Sequence, residues 1–157
     1  MENETIEALY KAHGPGILLY LRSLVGDGET AADLLQETFA AALGSEPELR
    51  GAASSRGWLF GIARNLGLNA IRRKRVLSPL IADPSAPDVQ EDDRLEKMRQ
   101  AIAGLPDVLR ETLQLKLQQD LSYEEVATAF SIPVGTVRSR LHHAIRLLRE
   151  RMHNVTL

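Results

Sequence analysis

The sequence has no cysteine among its 157 residues, which excludes disulfides, thiolate nucleophiles and cysteine-ligated zinc. It also lacks any apolar run approaching the ~18 residues that a membrane-crossing helix needs. Histidine is scarce: of His13, His142, His143 and His153, only the middle two are close in sequence, and neighbouring residues on a helix point apart. No metal site is expected, and no cofactor. Neither a phosphate-binding loop nor a nucleophile–base arrangement occurs, so an enzyme is not expected. The opening segment MENETIEALYK is acidic and has no basic start or apolar stretch of the signal-peptide kind, so a cytoplasmic protein is expected. Strand-like alternation is absent as well. The fold class expected from what remains is all-α.

The formal net charge of −2 argues weakly against a nucleic-acid partner, but the average hides segregation. Residues 54–76 carry six basic residues, Arg56, Arg64, Arg72, Arg73, Lys74 and Arg75, and no acid. Residues 131–149 carry four arginines and two histidines, again without an acid. The carboxylates sit elsewhere: five in 29–49 with no base, and six in 83–96 against Arg94 alone. A polyanion responds to a local basic face and not to the total.

Helical spacing of apolar residues runs from Ile6 to Leu24, with Gly14-Pro15-Gly16 expected to break or bend the middle, and Gly26-Asp27-Gly28 as a turn. Thr30 followed by Asp33 resembles a helix-opening capping pair. That helix carries Leu34, Leu35, Thr38, Phe39 and Leu43 and stops near Gly44. Residues 45–55 read as loop, and a third helix is expected at about 56–75. Residues 76–93 lose periodicity and hold Pro79, Pro84 and Pro87 among acids and small residues, which is linker composition. Four further helical pieces are expected at about 92–103, 107–119, 122–130 and 134–152. The expected organisation is a domain over 1–75, a linker over 76–93 and a second domain over 94–157.

The most informative segment lies near the C-terminus. Ser122 and Glu125 have the spacing of a capping box, opening a short helix with Val126, Ala127, Ala129 and Phe130. Ser131-Ile132-Pro133 follows, and proline suits the first turn of a new helix. Two helices joined this closely fit a helix-turn-helix. At 100° per residue, Val134, Val137, Leu141, Ala144, Ile145, Leu148 and Met152 fall in one sector. Ser139, His143 and Arg146 lie opposite, flanked by Arg138, Arg140 and His142. A recognition helix needs this arrangement, with one face anchored in its own core and the other offering donors to phosphates and base edges. A solvated amphipathic helix would show the same basic face; the capping box and proline turn favour the helix-turn-helix.

In the first half, the helix from Trp58 ends on Arg72, Arg73, Lys74 and Arg75. Four consecutive cations exceed what a helix C-terminus requires and suggest phosphate contacts. Trp58 can simply anchor the core. Asp33, Gln36 and Glu37 project from an acidic amphipathic helix, a face unsuited to DNA but able to dock a basic protein partner or merely to face water.

ADLLQETF at 32–39 and GWLFGIARNL at 57–66 resemble the region-two domain of bacterial extracytoplasmic-function (ECF) sigma factors of the sigma-70 superfamily. Leu105-Pro106, LSYEEVA at 121–127 and PVGTVRSRL at 133–141 resemble their region-four domain. The resemblance covers nearly the whole chain, in the family's order. It implies a promoter-specificity subunit of core RNA polymerase. Asp33, Gln36 and Glu37 would dock on the β′ clamp helices. Arg64, Asn69, Arg72, Arg73 and Lys74 would lie near −10 DNA. Arg138, Ser139, His142 and His143 would face the −35 element, with Pro133 and Thr136 near its backbone. Many members of the family have an anti-sigma protein, which makes one a possible partner here. Two departures stand out. The family usually has a basic residue at the position of His143, which is expected to weaken −35 affinity or make it pH-sensitive. It commonly has glycine at the position of Ser131, where serine in a left-handed turn would lower stability. The alternative function is an operator-binding helix-turn-helix regulator, which would carry a ligand pocket or dimerisation surface in its first half.

Overall fold

A computed structural model describes residues 5–45, 47–48, 52–77 and 93–155. Among them are seven helices and no strand: α1 (Ile6–Val25), α2 (Gly28–Gly44), α3 (Ser55–Leu77), α4 (Asp93–Ala103), α5 (Asp107–Leu117), α6 (Tyr123–Phe130) and α7 (Val134–Val155). The all-α expectation holds, and the helices α4 to α7 begin and end within three residues of the periodicity. Most of the expected linker lies outside the described residues; α3 itself continues to Leu77.

Two local expectations need correction. Helix α1 runs unbroken through Pro15. Proline removes one intrahelical donor, but Leu9, Ile17, Tyr20 and Leu21 on the buried side hold the helix together across it. The cap of α2 is Asp27, three residues before Thr30. Its carboxylate accepts from the N–H groups of Glu29 (3.3 Å) and Thr30 (3.2 Å) and from the Thr30 hydroxyl. An ionised carboxylate at the positive end of a helix is a stronger cap than a hydroxyl, and these bonds hold the Asp27 carboxyl below its usual pKa. Gly26, with φ 77°, closes α1 in the left-handed conformation, which needs glycine.

Helices α1, α2 and α3 pack on one another around Leu9, Ile17, Leu21, Leu34, Phe39 and Leu59. Helices α4, α5 and α6 gather on α7 around Leu109, Leu113, Val126, Val137 and Leu141. The two groups meet along α3 and α6, so that buried residues of both halves form one continuous cluster. At this seam the backbones nearly touch. A Cβ at Gly57 would lie 2.5 Å from the Glu125 carbonyl oxygen, and one at Gly61 would lie 2.8 Å from that of Ala129. Only glycine permits this approach.

Candidate nucleic-acid interface

The turn before α7 is set by local chemistry. The Ser122 hydroxyl accepts from the Glu125 N–H (3.0 Å) while the Glu125 carboxylate accepts from the Ser122 N–H (2.8 Å), completing the capping box of α6. Helix α6 ends after two turns because Ser131 takes the left-handed conformation, φ 55° and ψ 48°. The Ile132 N–H donates to the Ala127 carbonyl and the Ser131 N–H to that of Thr128, the paired bonds of a Schellman stop. Pro133 then accepts from Thr136 and Val137 and starts α7. The left-handed position expected at Ser131 is present.

Helix α7 buries Val137, Leu141 and Ala144. Pro133, Arg138, Ser139, His142, His143 and Arg146 are exposed, and Thr136 is half-buried. The buried sector is narrower than the periodicity implied: Ile145 is 43% exposed. The Arg138 guanidinium lies 5.6 Å from the Tyr123 ring centre, with Lys116 on the same ring at 5.3 Å. Such cation–π contact steers a side chain without consuming its hydrogen-bond donors. Arg140 is half-buried and rests over Phe130.

On α3, Asn69, Arg72, Arg73 and Lys74 are exposed, the three cations in a row over the last described side chains of the helix. Arg64 is placed differently. It is half-buried, donates from Nε (3.2 Å) and Nη2 (2.5 Å) to one Glu111 oxygen, and lies 4.6 Å from the centre of the Phe130 ring. Asp33, Gln36 and Glu37 are exposed on α2, with Leu34, Leu35, Thr38 and Phe39 buried behind them. Gln36 donates to the Tyr10 hydroxyl (3.3 Å), and the two line a shallow apolar groove with Ile6, Phe39, Ala40 and Leu43. The groove gives the acidic face an apolar border, which charge pattern alone did not reveal.

Sequence reasoning missed the polar residues of the seam. Arg56 donates to Glu125 (3.2 Å) and to the Gln119 carbonyl (2.7 Å), and Glu111 holds Arg64. Tyr20 is buried nearby with its hydroxyl unpartnered, and burial pushes its ionisation well above the usual range. The one available signal was the Gly57-x-x-x-Gly61 spacing, which leaves one helix face bare enough for a close crossing. Among the described residues no cluster of potential metal ligands occurs, and no helix is long and apolar enough to cross a membrane.

Residues 9–76 match the family model for Sigma-70 region 2, and residues 95–148 match that for Sigma-70, region 4. The chain is 33% identical over 159 residues to the ECF RNA polymerase sigma factor SigL of Mycobacterium tuberculosis, a match covering 94% of this chain and 89% of SigL. It is 32% identical over 160 residues to the RNA polymerase sigma factor YlaC of Bacillus subtilis, covering 95% of this chain and 92% of YlaC. In fold it is similar to CnrH solved in complex with the cytosolic domain of CnrY, with a TM-score of 0.67 at 23% identity over 95% of this chain and 88% of that one. It is likewise similar to RpoE of Bartonella quintana solved with the anti-sigma factor NepR, with a TM-score of 0.66 at 24% identity over 96% of this chain and 98% of that one. With both sigma regions present in order on one all-helical chain, the protein belongs to the sigma-70 family, among its ECF RNA polymerase sigma factors.

Proposed function

We propose that this protein directs core RNA polymerase to particular promoters, with 1–75 as the polymerase-docking and −10 domain, 76–93 as the linker and 94–157 as the −35 domain. The observation that carries this reading is the outer face of α7. Arg138, Ser139, His142, His143 and Arg146 are exposed together on a helix that follows a tight turn, in a stretch without a single acid. Such a helix fits the major groove, where arginine can read guanine and the hydroxyl and imidazoles can meet either base edges or phosphates. Pro133 and Thr136, at the positively polarised start of α7, suit the DNA backbone. Arg72, Arg73 and Lys74 supply phosphate contacts beside the −10 element, with Asn69 and Arg64 nearer the bases. Asp33, Gln36 and Glu37 dock on the β′ clamp helices, the neighbouring apolar groove adding contact that salt does not screen. The protein acts in the cytoplasm by binding and positioning, without catalysis of its own, and an anti-sigma protein is a fitting regulator.

The test is reconstituted transcription with core polymerase on promoters that differ only in the −35 element. An arginine reading a base contributes about 1–3 kcal/mol of discrimination, roughly 5- to 150-fold. Arg138→Ala should remove that preference while leaving −10 use intact. If it leaves both promoter strength and −35 preference unchanged, α7 does not read DNA in this way. Failure to co-purify with core polymerase would favour an operator-binding regulator instead.

A further inference from the structure

We propose that His142 and His143 make the DNA-facing side of α7 a proton-linked surface: the chain takes up protons as it binds duplex DNA, so its grip tightens as pH falls through the range in which imidazole titrates. The inference deepens the reading of α7 as a DNA-contacting helix and rests on it.

The placement of the two rings carries it. Both are exposed, on the side of α7 away from the buried Val137, Leu141 and Ala144. His142 stands one turn from Arg138 on one side and one turn from Arg146 on the other, and His143 stands likewise between Arg140 and Arg146. Residues so spaced are neighbours on a helix surface, about 5–6 Å apart at Cβ. A phosphate backbone drawn to these arginines therefore comes within reach of both imidazoles. Neither ring is committed elsewhere. Between Glu125 and Glu150 the chain has no carboxylate, and among the described residues neither imidazole is in an ion pair or a hydrogen bond. On the helices packed against α7, Glu96 accepts from Gln100, Glu111 from Arg64 and Glu125 from Arg56, Asp107 pairs with Arg110, and Lys116 lies against the Tyr123 ring. The remaining charges there, Asp93, Arg94, Lys97, Arg99 and Glu124, do not pair with the imidazoles. The surface thus holds no counter-ion of its own for a protonated ring, and the phosphates of DNA would supply it.

The chemistry follows from that placement. Imidazole is the side chain whose charge ordinarily changes between about pH 5 and 8. A nearby phosphate favours its charged form. By linkage, a bound state that holds more protons than the free state is favoured at lower pH, so affinity is greatest at the acid end and declines as pH rises. Arg138, Arg140 and Arg146 stay charged throughout and supply the part of the grip that does not depend on pH. Each phosphate neutralised also steepens the dependence of affinity on salt, by about 0.9 in log–log slope. The two histidines therefore give a coupled signature: at lower pH, binding is both tighter and more sensitive to salt.

The experiment uses the full chain and a fluorescent duplex of about 20 base pairs of mixed sequence, with anisotropy read at about pH 6 and about pH 8 over a range of salt. The wild type should bind about tenfold more tightly at the lower pH, an average uptake of about 0.5 proton across the two units. Its salt slope should steepen by about 1–2 over the same change. Replacing both rings, His142→Gln with His143→Gln, should cut the affinity ratio between the two pH values to about twofold or less. His142→Lys with His143→Lys should be equally flat in pH but keep the steep salt slope at both values. Both positions are exposed, so these changes leave the fold in place. If the wild type shows no pH dependence, or the glutamine variant keeps it, the proton-linked surface is refuted. Arg138→Ala separates that failure from failure of the underlying reading. Weaker duplex binding by Arg138→Ala, beside a wild-type profile flat in pH, overturns the role of the histidines alone. Unchanged binding by Arg138→Ala at both pH values overturns α7 as the DNA-contacting helix as well.

Discussion

Glu125 performs two tasks with one carboxylate, and removing it should separate them. Its Oε1 accepts from the Ser122 N–H at 2.8 Å, inside the capping box, and from Arg56 Nη1 at 3.2 Å, across the seam. The reciprocal cap is worth about 1 kcal/mol. The ion pair, about a quarter exposed on each side, adds roughly 0.5–1 kcal/mol. Arg56 is not stranded by its loss, since it still donates to the Gln119 and Asp120 carbonyls. Glu125→Ala should therefore destabilise the chain by about 1.5–2 kcal/mol, a fall in Tm of roughly 3–8 °C at this size. Ser122→Ala should lose only the cap, about 1 kcal/mol. The assay is urea unfolding followed by far-ultraviolet circular dichroism, with a double-mutant cycle. Glu125 and Arg56 should couple by about 0.5–1 kcal/mol, and Ser122 and Arg56 should not couple at all. In a Gly61→Leu background the Glu125–Arg56 coupling should vanish while the cap survives. Zero coupling in the wild-type background would show that Arg56 and Glu125 are not paired across the seam in solution.

Charge reversal at Asp33 and Glu37 should abolish co-purification with core polymerase while shifting stability by no more than about 0.5 kcal/mol, because both side chains are exposed; a doubly substituted chain that still captures polymerase at wild-type affinity would end the docking assignment. Ser131→Gly should raise the urea midpoint, by about 0.5–1 kcal/mol, since glycine takes a φ of 55° without the penalty of a Cβ; a lower midpoint would contradict this. Tyr20→Phe should stabilise the chain or leave it neutral at pH 7, since it removes a buried hydroxyl without a partner. It should also flatten the alkaline limb of the stability profile. Burial raises the folded ionisation of Tyr20 above the unfolded value of 10.0, so its contribution is complete below pH 10 and declines as pH rises above it. Identical alkaline unfolding of wild type and Tyr20→Phe would exclude that contribution.

Much of this molecule was legible before any coordinates. Periodicity gave all seven helices of the described residues, and Ser122, Glu125, Ser131 and Pro133 located the helix-turn-helix because caps and turns are governed by a few neighbouring atoms. The exposed donors of α7 followed from the same angles. Competition between possible caps was harder to read: Asp27 and Thr30 both qualify, and the carboxylate prevailed through its charge. The seam was not legible. An apolar stripe says that a face is buried but not against which part of the chain, so nothing in the sequence of either half told that α3 and α6 meet. The partners of Glu111 and Arg56 were hidden for the same reason, since they lie 47 and 69 positions away.

Arg64 carries a consequence for how mutational data on this chain would be interpreted. Its guanidinium gives two donors to Glu111 of α5 and rests on Phe130 of α6, so it ties α3 to the C-terminal half. Any substitution there removes a contact of the fold, whatever else the residue does. A variant with weaker DNA binding therefore speaks about Arg64 at the DNA only when its urea midpoint is unchanged. Arg64→Lys keeps the charge and gives up the planar fork, so comparing it with Arg64→Ala separates the lost charge from the lost fit.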